Sequence, residues 1–411
     1  MTLDSRKVKE IRRLFEQFAK KLPTVEEAGA VRESQRPGPI EGHLLVRGNI
    51  VLTGLLANAY VDLVNKVHAY LQDEGTWSKP SVDDLLMTNI IAVFNSPTGQ
   101  RAETIHDRSK QLVDILKVAP TEWIVDLQIA GVQPDCAGVK FGKIEFTVDK
   151  IDLSRFQPTQ GIADVTLART TVAAIDQESA KLAAEHLVDH HLAILNALCT
   201  DWLPSRIHLF RGENKPPMWQ TVNRLRKPTE NKWAHGSQSR ITGTLLTKAE
   251  LLNFLQLRGG NRVSDFLVNP TTFGNRLIVG YRTAGTACVE EEPSLAFLLF
   301  AIALESVVLG GHDKAEITFQ LRARVAHLLG ETAEHRGVVF DRVRNLYDVR
   351  SKIAHQGMSE VAEAELEEMR LVCLASLNVL TVSPDFASAQ TSKDLEEWFR
   401  LKLLGAGVPS K

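Results

Sequence analysis

The chain has 411 residues, 44% of them hydrophobic and 24% charged, with a formal net charge of -2. Such a length exceeds one ordinary hydrophobic core and such a balance excludes a disordered polymer, so two or three folded domains are expected. The near-neutral charge excludes a global field that would attract nucleic acid, so any basic surface must be local.

Residues 4–22 predict a helix, because Val8, Ile11, Phe15, Phe18 and Leu22 recur at three and four and form one apolar stripe. Seven Lys or Arg against three acids occupy the rest of it. Docking on the protein's own core with a solvated basic face is favoured over an anionic surface or a partner helix. Pro23 ends the helix, and Arg36-Pro37-Gly38-Pro39 marks a loop. Residues 43–53 alternate weakly, as a strand does, and 54–72 and 99–117 read as helices. Period-two alternation and β-branched content predict strands over 123–129 and 139–148. Gln177 to Leu198 is a strongly amphipathic helix. The first half is therefore α+β. It carries no phosphate loop, no Rossmann glycine fingerprint and no internal repeat, and nothing in it identifies a ligand.

Residues 211–240 shift in composition, with seven Lys or Arg against two acids. Pro216-Pro217 and Pro228 argue against regular structure there. Trp219, Arg224, Arg226 and Trp233 interleave rings with cations, a pattern that binds single-stranded nucleic acid or simply covers apolar surface between domains.

From residue 247 onward the pattern is almost wholly helical. Lys248–Leu257, Arg262–Val268 and Phe273–Ala287 come first. Glu290-Glu291-Glu292-Pro293 heads Leu295–Leu309, placing negative charge and an early proline at a helix start. Asp313 with Glu316 resembles a capping box for a helix running to Leu329. Val338–Ala354 follows, with Val339, Val343, Leu346, Val349 and Ile353 on its apolar side. Ser359 is placed to cap a last long helix reaching Leu380, Pro384 closes it, and 392–404 adds a terminal helix. Short loops between these segments predict an up-and-down bundle.

One stretch carries chemistry. Leu346 to Gly357 sets Arg350 and His355 four residues apart at the end of an apolar-periodic segment. Arginine keeps its proton and grips phosphate through a planar fork. Histidine titrates near pH ~6.5 and gives or takes a proton near neutrality. Together they suit attack of an RNA 2′-hydroxyl on its neighbouring phosphate, which needs acid–base help and charge stabilisation but no metal. On an ideal helix the two side chains stand ~140° apart. Either the helix loosens near His355 or the site is composite. Tyr347 and Asp348 lie within a turn before Arg350, and Ser351 and Lys352 directly follow it. A Glu inside so apolar a segment as Leu295–Leu309 must be paired. Glu305 is expected to partner Arg350 or His355, or else to pair with Arg322 or Arg324. Lys314 to His355 holds eight Lys or Arg against five acids, a local positive bias.

Leu346-Tyr347-Asp348-x-Arg350, His355 and the upstream Ala303-Leu304-Glu305 resemble the HEPN superfamily, most closely its Apea-like group, over roughly residues 260–385. Across the superfamily the residue after the Arg is commonly Asn, Asp or His, and here it is Ser351. The resemblance implies a helical bundle whose motif helices pair across a twofold dimer, so that both copies of Arg350 and His355 line one cleft. It implies a metal-independent endoribonuclease leaving 2′,3′-cyclic phosphate and 5′-hydroxyl ends. It also implies a role in prokaryotic antiviral defence by abortive infection, as a toxin cutting host or invader RNA, often transfer RNA. The alternative is an inactive HEPN dimerisation or RNA-binding scaffold with a ligand-sensing front half.

The expected organisation is an α+β sensor or regulatory domain over 1–210, a basic proline-rich linker over 211–246, and a HEPN-like helical domain over 247–411. The front domain would answer a phage-derived or small-molecule trigger. No cofactor and no metal are expected. His186 and His190 are spaced i, i+4 like half a zinc site, but Leu187 stands where the catalytic Glu would follow, and no distant ligand set is evident. Cys136, Cys199, Cys288 and Cys373 are far apart, which fits a reducing compartment. The longest apolar run, Leu295–Leu304, is too short to span a bilayer, and no signal-type apolar segment stands near the start. A cytoplasmic protein without membrane contact is expected.

Overall fold

The structure is a computed structural model that describes residues 5–22, 44–47, 50–72, 79–116, 119–152, 162–199, 209–211, 221–226, 234–238, 245–309, 317–356 and 360–405. The chain divides into two compact units, one of residues 1–125, 171–184 and 225–233, the other of residues 126–170, 185–224 and 234–411.

The first unit opens with α1 (Ser5–Ala19), whose Ile11, Phe15 and Phe18 are buried. The stripe read from the sequence thus docks on the unit's own core. A hairpin of β1 (Leu44–Arg47) and β2 (Ile50–Thr53) follows, where one strand was expected. Three helices complete the unit's core: α2 (Gly54–Gln72), α3 (Lys79–Phe94) and α4 (Arg101–Leu116). Phe15, Tyr60, Leu71, Leu86, Ile90 and Leu112 meet there. Tyr60 reconciles its buried ring with its hydroxyl by donating to Asp83 Oδ1 at 2.5 Å.

The sheet comprises β3 (Thr121–Ala130), β4 (Lys140–Phe141), β5 (Ile144–Asp152), β6 (Ile162–Ala174), β7 (Phe210–Arg211), β8 (Thr221–Arg226) and β9 (Ala234–Gln238). Its order is β4-β5-β6-β3-β8-β9, with β7 also pairing β3. β5 and β6 are antiparallel with Glu145 opposite Arg169. The fully buried Asp126 of β3 holds that Arg169 through two hydrogen bonds of 2.7 and 2.8 Å. Two strands, β8 and β9, occur where the prolines of 211–240 argued against regular structure. The prolines themselves, at 216, 217 and 228, fall outside the described residues, so the strands occupy the stretches between them.

α5 (Gln177–Cys199) lies between β6 and β7, and after β9 the second unit is helical: α6 (Lys248–Leu257), α7 (Gly260–Val268), α8 (Thr272–Val289), α9 (Pro293–Val308), α10 (Ile317–Leu329), α11 (Ala333–Gln356), α12 (Glu363–Val382) and α13 (Ser392–Leu403). The protein is thus mostly helical, with a sheet ahead of a helical C-terminal part. Glu292 caps α9, accepting from the N–H groups of Ser294 and Leu295 ahead of Pro293. Asp313, Glu316 and Ser359 lie outside the described residues; α12 begins at Glu363, after Ala362 rather than directly after a serine cap. All four cysteines are buried as free thiols. Among the described residues, no helix is long and apolar enough to cross a membrane.

Close packing inside the second unit depends on Gly285 of α8, where a Cβ would lie 1.5 Å from the carbonyl oxygen of Ala193 on α5. Gly337, in the first turns of α11, has open space around its Cβ position. Gly285→Ala should therefore lower the thermal midpoint by several degrees. Gly337→Ala should raise stability by about 0.5–1 kcal/mol, because alanine loses less backbone entropy in a helix. Denaturant titration of both variants checks the pair of opposite signs.

Candidate functional site

Regular helix runs through the whole motif. α11 continues unbroken from Ala333 to Gln356. Val339, Val343, Leu346, Tyr347, Val349 and Ile353 are buried and fix which side faces the bundle. Arg350 stands within that side, half-buried, and His355 lies on the solvent side. The two are separated by ~140° around the axis and about 7.5 Å along it. Of the two arrangements open from the sequence, the helix does not loosen before His355. One copy of the chain does not bring Arg350 and His355 to one face.

What the fold brings together instead is Arg350, Glu305 and Tyr347. Glu305 enters from the last turn of α9, and its Oε1 lies 3.4 Å from Arg350 Nε, with the two side chains 26% and 30% exposed. Arg350 Nε is itself buried and makes no hydrogen bond, so the contact is an ion pair without aligned geometry. Tyr347 is buried one turn before Arg350, and its hydroxyl donates to the Ala301 carbonyl at 3.4 Å. Burial, then the adjacent Glu305 carboxylate, push the Tyr347 hydroxyl well above the usual tyrosine range, and Arg350 opposes them. Tyr347 is therefore a neutral donor beside a carboxylate and a guanidinium.

Arg322 and Arg324 pair elsewhere. Arg322 lies over the Phe340 ring and near Asp341, while Arg324 pairs with Glu396 of α13 at 2.7 Å. Glu305 thus takes the first of the two partnerships open to it. Asp348, Ser351 and Lys352 are all exposed. Arg350 can offer the solvent-facing part of its fork to a phosphate, and His355 can exchange protons with whatever docks on the exposed side of α11.

The remaining candidates separate. Trp219 and Trp233 lie outside the described residues, and Arg224 and Arg226 are placed only along the backbone of β8. His190 contacts Arg282 at 3.4 Å. Among the described residues, no group of three or more His, Cys, Asp or Glu is arranged to hold a metal ion. In the first unit, an open cleft of about 500 Å³ is lined by Glu16, Lys20, Thr98, Arg101, Ala102, Ile105 and His106. None of these residues drew notice in the sequence, because Thr98 to His106 and Glu16 meet only through the packing of α1 on α4. Glu16 there is already bound by Arg12 and Ser109, and its carboxyl stays below the usual range despite burial.

His191 has a structural task instead. Its Nε2 accepts from the Lys143 N–H at 3.1 Å, so its Nδ1 donates to the Leu187 carbonyl at 2.7 Å. Burial pulls its pKa from 6.5 down to about 4. The unfolded chain then binds a proton that the folded chain does not between those values, so the folded state is fully favoured above pH 6.5 and loses stability as pH falls toward 4. Wild type should lose about 3 kcal/mol across that window that His191→Gln does not lose. Urea titrations of both proteins at pH 7, 5.5 and 4 test this; equal slopes would refute it. Comparison of the chain with models of known families, with curated proteins and with solved structures finds no match to any of them.

Proposed function

We propose that this chain is a metal-independent endoribonuclease of HEPN type acting as a homodimer, in antiviral defence. The observation that carries the reading is the pairing of Arg350 with Glu305 across α11 and α9. It holds a half-buried guanidinium on the bundle-facing side of α11, five residues before an exposed histidine. In the proposed reaction one His355 removes the proton of the RNA 2′-hydroxyl. The 2′-oxygen bonds to phosphorus, and the bond to the 5′-oxygen breaks. A second His355 protonates the departing 5′-oxygen, so the products are a 2′,3′-cyclic phosphate and a 5′-hydroxyl. Both arginines hold the non-bridging oxygens as charge develops on them.

The two imidazoles come from two copies, since a continuous α11 keeps Arg350 and His355 apart within one. A twofold axis near the motif would double every group. Leu295 and Ile302 of α9, 42% and 46% exposed, lie within ~80° of Glu305 around their helix and supply an apolar patch for such an interface. Light scattering of the full chain should give about twice its 45.6 kDa mass, and Ile302→Asp should return it to one.

A second reading is an inactive scaffold of the same architecture, and it is favoured by the same pair. A carboxylate that already neutralises Arg350 leaves less of the guanidinium for phosphate. The first reading expects pure protein to cut total RNA in the presence of EDTA, with cyclic phosphate ends. It expects His355→Ala to lower the rate by about 10²–10⁴-fold. As an exposed residue, His355 should change stability by no more than about 0.5 kcal/mol when removed. If cleavage needs added magnesium or manganese, the metal-free chemistry is wrong; if cleavage never appears while Arg350→Ala unfolds the bundle, the scaffold reading stands.

A further inference from the structure

The exposed side of α11 ends in an arrangement that its catalytic reading does not use. Phe319, in the first turn of α10, is 55% exposed. Its ring meets Phe340 of α11 edge-on, with centroids 5.7 Å apart and planes at 78°. Phe340 is in turn covered by Arg322, whose Cζ lies 3.9 Å from the ring centroid. The Arg322 Nε donates to the Phe340 carbonyl at 3.2 Å, and Asp341 lies 3.7 Å from its Nη2. Arg322 and Phe340 therefore fix each other, and together they hold a phenyl ring out in water. Burial cannot be what keeps Phe319 there, and the exposed Ile317 and Val338 extend the apolar surface around it.

This ring is aligned with the motif. On α11, Phe340, Arg344, Ser351, His355 and Asp348 fall within an arc of ~80°, and Arg336 and Lys352 lie about 40° beyond its two edges. All but Phe340 and Arg336 of these seven are exposed, and those two are half-buried. The face between those bounds carries Arg336, Arg344, Lys352 and His355 together with the acids Glu334, Asp341 and Asp348, of which Asp341 is turned to Arg322. From Phe340 to His355 it runs about 22 Å, which is six to seven nucleotides at the ~3.4 Å rise of a stacked strand.

We propose that Phe319, backed by Phe340 and Arg322, is a base-stacking platform for single-stranded RNA, and that the strand runs from it along this face of α11 to His355. The inference rests on the ribonuclease reading and adds a substrate class to it. An unpaired base has a free π-face to lay on an exposed phenyl ring, and a paired one does not. Successive phosphates on the way to His355 then meet Arg344 and Lys352, and a ring with cations along one track complements a strand in both respects.

The test measures binding apart from cleavage. Fluorescence anisotropy of the full-length protein would use 2′-O-methyl oligonucleotides, which cannot form a cyclic phosphate, at lengths of four and twelve, with a twelve-pair duplex beside them. Phe319→Ala and Phe319→Leu should each bind the twelve-mer about tenfold more weakly, and Phe319→Trp should bind it at least as tightly, as stacking on a larger ring requires. The four-mer and the duplex should be insensitive to all three. Leu keeps the apolar surface, so its loss in step with Ala assigns the effect to the ring. Equal twelve-mer binding by wild type, Ala and Leu overturns the platform, as does an oligomer mass that changes with Phe319 while RNA affinity does not. The ribonuclease reading fails separately. If wild type never cuts RNA but twelve-mer affinity follows Phe319, the platform stands without the nuclease. If His355→Ala alone abolishes cutting and Phe319 is silent, the nuclease stands without the platform.

Discussion

The second unit is arranged around one constraint, the broad apolar face of α9, which must be removed from water. Ala296, Phe297, Phe300, Ala301, Ala303, Leu304, Val307 and Val308 are all buried within an arc of ~160° around its axis, while Leu295 and Ile302 on the opposite side stay exposed. Helices α8, α10, α11 and α12 pack around it because nothing else removes that surface from water. Two polar demands follow. The carbonyls at its C-terminal end cannot reach solvent freely, so Arg276 donates to the Ser306 oxygen at 3.1 Å and Arg324 to the Val308 oxygen at 2.8 Å. Both guanidiniums then need a counter-charge, which Glu396 of α13 supplies to each. The other demand is Glu305, the one carboxylate on α9, which draws Arg350 of α11 to it. The site is thus a consequence of how the most hydrophobic helix ends.

Sequence periodicity located the elements that have one clean face. α1, α2, α5, α6 and α13 were found to within a few residues, since each presents a stripe at three and four. α3 went unnoticed because Val82, Leu86, Met87, Ile90 and Val93 are buried while Leu85, Ile91 and Phe94 are also partly covered, so no polar face marks a period. β6 went unnoticed for a related reason. Its small and polar residues, Ala163, Asp164, Thr166, Ala168 and Thr170, do not look like a core strand, yet Thr166, Ala168 and Thr170 are buried and the two threonines donate to the Val132 and Lys143 carbonyls. Buried threonine hydrogen bonds join the buried Val165, Leu167 and Val172 in holding that strand, and a pattern built on hydrophobicity alone does not see it.

The site was legible in its residue types and not in its partners. Arg350 and His355 announce themselves by spacing, but whether Glu305 serves Arg350 or the arginines at 322 and 324 depends on which helices touch. Arg322 is consumed by Phe340 and Asp341, and Arg324 by Glu396, all contacts between segments distant in sequence or facing at an angle no spacing reveals. Phe319 illustrates the same limit from the other side. Nothing in the Ile317-Thr318-Phe319 start of α10 marks the ring as exposed, and only the packing of α10 on α11 leaves it outside.

Under the ribonuclease reading, Glu305 has two opposed effects on the same arginine. It fixes the half-buried guanidinium in place, which lowers the entropy lost when a phosphate arrives. It also neutralises part of the charge that phosphate would feel, and at 26% exposure it is screened less by water than a surface carboxylate would be. The missing hydrogen bond at Arg350 Nε decides how these balance. The pair is close in charge but unaligned, so it orients the arginine without saturating it. A phosphate can engage the outer nitrogens while Glu305 stays where it is, and in that arrangement the carboxylate acts as a positioning group behind the arginine. Tyr347, neutral and buried against both, closes the space in which Glu305 could swing away.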